Sequence, residues 1–209
     1  MVILTNQARS LDELGFAALS DQEKLTPVRK EVEIPSEKLD AYVGTYRLKD
    51  KFFISVIKGG GHLFARATGQ QIFPLYASGE GEFFARMADI AISFTSTGLV
   101  LHQGGDFPCP KVTEQEAATE LGAIPVDAER LEAYTGHYQL APGQIFTTTR
   151  QEGHLVGQLG NQPALPLYPR SATSFFYLAA DAEMDFQADG SGLVLHQGGR
   201  NLAAPRVPP

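Results

Sequence analysis

The chain of 209 residues has one cysteine, no tryptophan and three methionines. A single cysteine, Cys109, excludes an intrachain disulfide and a zinc site built from thiolates. Its expected role is a packed, inert thiol. Positive charge is scarce: 17 Lys and Arg against 24 Asp and Glu leave a formal charge of −7. Nucleic-acid binding needs a basic surface that displaces counterions, and no basic stripe is present. The short cationic cluster Val28-Arg29-Lys30 runs straight into Glu31 and Glu33. No apolar run approaches the roughly 20 residues of a membrane-spanning helix, and the reading is no membrane span. Met1-Val2-Ile3-Leu4-Thr5-Asn6 lacks the cationic start and apolar length of a secretory signal, so no export address is read.

What the chain has is a duplication. Leu99-Val100-Leu101-His102-Gln103-Gly104-Gly105 recurs unchanged as Leu193-Val194-Leu195-His196-Gln197-Gly198-Gly199. Leu39-Asp40-Ala41-Tyr42-Val43-Gly44-Thr45-Tyr46 returns as Leu131-Glu132-Ala133-Tyr134-Thr135-Gly136-His137-Tyr138, and Phe73-Pro74-Leu75-Tyr76 as Leu165-Pro166-Leu167-Tyr168. The offset is 92 residues at Tyr42 and 94 at Leu99, a whole small domain rather than a solenoid unit of roughly 20–50 residues. The expected organisation is a strand–helix head and linker over 1–33, a first repeat over 34–112, a linker over 113–123 and a second repeat over 124–209. In the head, Val2–Leu4 reads as a short strand and Ser10–Leu19 as a capped amphipathic helix.

Each repeat opens with a short helix, its expected N-cap Ser36 or Asp127, with Leu39/Tyr42 or Leu131/Tyr134 one turn apart on one face. Short strands follow, separated by Gly-containing turns. In the first copy they are expected at Thr45–Leu48, Phe52–Lys58, His62–Ala67, Ile72–Ala77, Glu82–Met87, Ile90–Thr95 and Leu99–Gln103, with an eighth near Lys111. The second copy offers Ile145–Arg150, His154–Leu159, Leu165–Tyr168, Ser174–Leu178, Glu183–Gln187 and Leu193–Gln197. Many short antiparallel strands at close spacing predict an all-β chain of two tandem small barrels or sandwiches. Such short strands make a shallow cup that bulky side chains fill, so a plugged barrel is weighted above one holding a ligand.

The pattern Leu39-x-x-Tyr42-x-Gly44-x-Tyr46, Phe73-Pro74-Leu75-Tyr76, Phe83-Phe84, Leu99-Val100-Leu101-His102-Gln103 and its second copy resembles the lipocalin-like domain appended to beta-lactamase-related serine hydrolases. That group includes penicillin-binding-protein-like esterases, D-aminopeptidases, in which tandem barrels occur, and self-compartmentalising serine peptidases. The head, Val2–Asn6 with the Leu11–Leu19 helix, resembles the closing strand and last helix of their catalytic domain. The resemblance implies a serine-hydrolase catalytic domain as partner, in cis or in trans, with the barrels acting as a non-catalytic module for gating or oligomer contacts. Parent hydrolases of this type are often exported.

The catalytic motifs of that group find only decoys here. Ser55-Val56-Ile57-Lys58 has the Ser-x-x-Lys spacing, but the chemistry needs a helix, and on a strand an offset of three sends the side chains to opposite faces. Tyr76-Ala77-Ser78 and His102-Gln103-Gly104 echo the other two motifs, the latter once per repeat, which a single active site does not allow. No catalytic residue is therefore assigned, and no cofactor. His62, His154, His102 and His196 lack a carboxylate recurring in both copies, so structural hydrogen bonding is expected and no metal site. Tyr46 and Tyr138, expected with the hydroxyl at the barrel mouth, and His102 and His196 are the candidate ligand contacts should a barrel be hollow. A stand-alone protein binding a small apolar ligand is the alternative function; an enzyme with an unrecognised site comes third.

Overall fold

The computed structural model describes residues 29–208. The expected strand and helix of the head, Val2–Leu4 and Ser10–Leu19, lie outside the described residues. The rest forms two closed antiparallel barrels of eight strands each, joined by a short helix.

Barrel 1 comprises β1 (Gly44–Lys49), β2 (Phe52–Gly59), β3 (His62–Ala67), β4 (Phe73–Gly79), β5 (Glu82–Ala85), β6 (Ile90–Phe94), β7 (Gly98–His102) and β8 (Asp106–Val112), each paired with its successor and β8 closing onto β1. Barrel 2 repeats the meander with β9 (Gly136–Ala141), β10 (Gln144–Gln151), β11 (His154–Leu159), β12 (Leu165–Pro169), β13 (Ser174–Phe176), β14 (Ala182–Phe186), β15 (Gly192–Gln197) and β16 (Arg200–Val207). Strand alternation does the sorting: Ile54, Val56, Leu63, Ala65, Leu75, Phe83, Ile92, Leu99, Leu101 and Cys109 sit two apart on their strands and meet in one core. Their counterparts Phe146, Leu155, Leu167, Phe175, Met184, Leu193 and Leu195 build the second.

The first opening helix, α1 (Ser36–Leu39), continues as a 3-10 turn over Asp40–Tyr42. Its N-cap is Pro35, with Ser36 the first helical residue, which corrects the expected Ser36 cap; the preceding Ile-Pro pair already fixes extended backbone there. Asp127 does hold the N-cap of α3 (Ala128–Ala133), without a side-chain capping bond. Among the described residues the joining helix, α2 (Glu114–Glu120), is the one with a full capping box, between Thr113 and Glu116.

Several strands depart from the expected set: β9 and β16 have no counterpart in it, β8 is longer than the strand expected near Lys111, and β5 and β13 each end two residues early. The strands β8 and β16 are long although β8 carries Pro108 and Pro110 and β16 carries Pro205. These prolines are tolerated because the closing seam is thin: β8 pairs with β1 only at Thr45↔Val112 and Tyr46↔Lys111, and β16 with β9 only at Tyr138↔Arg206 and His137↔Val207. The strand β13 stops at Phe176 rather than Leu178, because the chain there turns toward barrel 1 and Leu178 joins an inter-barrel cluster. Among the described residues no helix is long and apolar enough to cross a membrane.

Candidate functional site

The candidate places are the barrel interiors, the paired histidines, the isolated motif residues and the seam between barrels.

The interiors are filled. Tyr42 lies across one end of barrel 1, its ring 4.6 Å from Phe94 and 5.2 Å from Phe83. Tyr134 does the same in barrel 2, stacked 4.5 Å from Phe186. Tyr46 is buried beneath this plug, and its hydroxyl donates to the Tyr42 carbonyl at 2.8 Å. Tyr138, equally buried, donates to the Tyr134 carbonyl at 2.9 Å, where Thr148 also donates at 2.5 Å. Burial pushes the Tyr46 phenol up to about 12, and raises that of Tyr138 as well. Barrel 2 reaches the same filling by compensating substitution: Phe146 stands for Ile54 and Tyr177 for Ala85, while Gly157 replaces Ala65. A Cβ on Gly157 would strike the Phe146 ring and the Tyr177 hydroxyl.

The repeated heptapeptide has a structural explanation. Leu99 and Leu101, like Leu193 and Leu195, point inward, leaving His102 and His196 on the outer faces of β7 and β15. Each histidine clips its strand to both neighbours. His102 meets Ser93 of β6 through Nε2 at 2.8 Å and Asp106 of β8 through Nδ1 at 2.7 Å. His196 meets Asp185 of β14 through Nε2 at 2.9 Å and Asn201 of β16 through Nδ1 at 2.9 Å. The Asn201 hydrogen bond, followed by Asp185, holds the His196 pKa above the ordinary imidazole value.

Ser93, His102 and Asp106 have the connectivity of a serine-hydrolase triad, which sequence reasoning did not anticipate. The surroundings differ from the catalytic arrangement. The Ser93 hydroxyl also faces Glu82 Oε2 at 2.7 Å. The hydroxyl has one hydrogen, for which the Glu82 carboxylate and His102 Nε2 compete. That competition distinguishes the cluster from a triad in which the imidazole alone receives the nucleophile's proton. In barrel 2 Asp185 occupies the place of Ser93.

The remaining motif residues are dispersed. Ser55 is buried on the outward side of β2 with Phe53, whereas Lys58 follows the inward parity of Ile54 and Val56 and pairs with Asp40 at the barrel end. Strand geometry thus separates the two side chains, as their spacing implies. His62 and His154 open β3 and β11, and the ring of His154 lies 5.7 Å from Tyr168. Among the described residues no three His, Cys, Asp or Glu side chains converge as metal ligands.

The seam joins the outer face of β2–β3 to the region of β12–β13. Phe53, 1% exposed, packs with Ala117 and Ala118 of α2 and with Tyr168, Phe176 and Leu178 of barrel 2. Tyr168 donates to Glu114 of the same helix at 2.7 Å, and burial raises its pKa strongly. Arg66 crosses the seam: Nε donates to Gln70 O at 3.0 Å, NH1 to Leu178 O at 2.7 Å and NH2 to Asp181 at 3.4 Å. Burial lowers its pKa and Asp181 opposes that shift. The signal for this seam was present in Phe52-Phe53-Ile54, where an apolar residue stands at the outward position of an alternating strand. Beside Arg66 the barrels diverge into a cleft of about 550 Å³, walled by Ile57, Phe64 and Ile72 on one side and Pro163, Leu165 and Ala180 on the other.

Fold and site together define a tandem β-barrel protein with filled interiors and a built seam. Residues 28–103, most of barrel 1 with its approach, match the family described as "Domain of unknown function (DUF3471)". No curated protein and no solved structure matches the chain.

Proposed function

We propose that the twin barrels are a non-catalytic accessory module of a beta-lactamase-related serine hydrolase, of the lipocalin-like kind found in D-aminopeptidase-type enzymes. The module would contribute domain or oligomer contacts and restrict access to the hydrolase's site. The observation that carries this reading is that both barrels spend their interiors on their own side chains: Tyr42 and Tyr134 plug the ends, and Tyr46 and Tyr138 are satisfied by backbone carbonyls. The chemistry-bearing groups are engaged likewise, Ser93 between Glu82 and His102, and Lys58 with Asp40. The seam supports the same role, since a fused pair presents a larger stiff surface than one barrel. DUF3471 domains are associated with beta-lactamase-related proteins, which favours this class of partner over others.

The test is direct. The purified chain, its fold checked by circular dichroism, is assayed with nitrocefin and p-nitrophenyl acetate. The expected result is no turnover above buffer. Turnover lost on Ser55→Ala or Ser93→Ala would overturn the reading and turn that serine into a nucleophile.

A further inference from the structure

We propose that the inter-barrel cleft is a binding site for a short, uncharged, apolar peptide segment. This stands whether or not the chain serves a hydrolase, because it rests on the cleft alone.

The cleft's size, about 550 Å³, falls within the usual range for small-ligand sites, and its walls come from both barrels. The walls are largely apolar. Ile72 is 42% exposed and faces this space, where it adjoins the other apolar wall residues. The polar lining is of one chemical kind. Gln71, Gln162 and Gln197 are exposed carboxamides, each with a donor and an acceptor, and among the described residues Asp181 is the one charged residue in the lining.

The charge balance decides between ligand classes. Arg66, the nearby cation, has Nε, NH1 and NH2 engaged by Gln70 O, Leu178 O and Asp181. Among the described residues a fatty-acid carboxylate would therefore find no cation to receive it and would meet Asp181 instead. A ligand ammonium gains little, since Asp181 is already paired with Arg66. What remains complementary is a neutral molecule with apolar side groups and amide donors and acceptors along its length. A peptide segment has that pattern: its backbone amides suit the glutamines and its side chains suit Ile57, Phe64, Ile72 and Leu165.

The equivalent place on barrel 1 supplies an internal contrast. Met87, Ala88 and Asp89 correspond to Ala179, Ala180 and Asp181, and they line a cup of about 450 Å³ together with Arg29 and Arg86. That cup is charged where the inter-barrel cleft is apolar, so a neutral peptide should select the cleft.

The experiment is methyl NMR on the whole chain with N-acetyl-leucyl-leucine amide as probe and decanoate as the anionic control. Saturable shifts are expected at Ile57, Ile72, Leu165 and Ala180, with Leu63, Leu155 and Met87 unmoved and no response to decanoate. Placing an unpaired carboxylate in the apolar wall, Ile72→Glu, should weaken the probe about tenfold. Ile72 is exposed, so the fold should persist, and unmoved core methyls verify it; Gln197→Ala is a second variant expected to weaken binding. Absence of saturable shifts at millimolar probe overturns the proposal. So do shifts centred on the barrel cores, equal binding of decanoate, or indifference to both substitutions.

Discussion

Replacing Phe53 by alanine should uncouple the barrels while leaving each one folded. Phe53 is 1% exposed yet belongs to neither barrel core: it projects outward from β2 into Ala117, Ala118, Tyr168, Phe176 and Leu178. A buried phenylalanine removes about 150–200 Å² from water, which at roughly 25 cal/mol per Å² corresponds to about 4–5 kcal/mol. Measured Phe→Ala losses of about 3–5 kcal/mol agree. That loss falls on the seam, because Ile54 and Val56, the inward neighbours, are untouched. At about 2–4 °C per kcal/mol for a chain of this size, the first melting transition should fall by on the order of 10 °C. The sharper expectation concerns cooperativity. In urea the native chain should unfold in one steep transition, and the variant in two shallower ones, followed by far-UV circular dichroism and tyrosine fluorescence. Leu202→Ala, on the exposed face of β16, is the control and should change stability by less than about 0.5 kcal/mol. A Phe53→Ala chain that unfolds in one transition with unchanged slope and midpoint would refute the argument that the seam couples the barrels.

The two tyrosines buried beneath the plugs, Tyr46 and Tyr138, should respond unequally to loss of the hydroxyl. Tyr46→Phe removes the side-chain donor to the Tyr42 carbonyl and should cost about 1–3 kcal/mol, whereas Tyr138→Phe leaves Thr148 still donating to the Tyr134 carbonyl and should cost about 1 kcal/mol or less; urea midpoints check the order. His196 has a folded pKa above its unfolded value of about 6.5, so its clip contributes fully below about pH 6.5 and fades as pH rises through the folded pKa. The site is largely exposed, so only a few tenths of a kcal/mol are expected: the melting advantage of the native chain over His196→Gln should be present at low pH and absent at high pH, and an advantage that grows with pH contradicts the clip. Cys109 is buried and its pKa raised by that burial, so Ellman's reagent should react slowly in buffer and promptly in guanidinium; prompt reaction in buffer contradicts a closed barrel 1.

The barrels were legible because their residues obey a local rule. Two-residue alternation in Ile54/Val56, Leu63/Ala65 and Leu99/Leu101 names the inner face with no reference to the rest of the chain. Glycine turns such as Gly60-Gly61, both at positive φ, mark the reversals. The closing strands were harder, since Pro108 and Pro110 argue against a strand unless the seam they border is known to be thin. The histidine partners were hidden for another reason. His102 takes its carboxylate from the following strand, Asp106, and His196 from the preceding one, Asp185, so comparing the copies position by position finds no recurring acid. The inter-barrel residues escaped because contact between separate closed sheets leaves no period in the sequence; what breaks the alternation is the outward Phe53 on one barrel and the outward Tyr168 and Phe176 on the other.

The divergence between the copies is itself intelligible once the seam is known. Barrel 1 offers β2–β3 and barrel 2 offers β12–β13, so the contact is head to tail rather than two-fold. A head-to-tail contact between identical units would propagate, exposing a sticky face at each end. The residues that differ at equivalent positions are those that stop it. On barrel 1, Arg86 stands where barrel 2 has Leu178, and it covers Tyr76 at 4.0 Å while pairing with Glu31. On barrel 2, Gln158 and Ile145 replace Arg66 and Phe53, removing the cross-seam donor and the aromatic anchor. The approach to each barrel is nevertheless the same: Val32 N–H donates to Ala77 O and Ile124 N–H to Pro169 O, both at 2.9 Å. The chain therefore keeps the duplicated scaffold, including the heptapeptide of the seventh strand of each barrel, and varies the outer faces that determine which surface is covered and which remains in water.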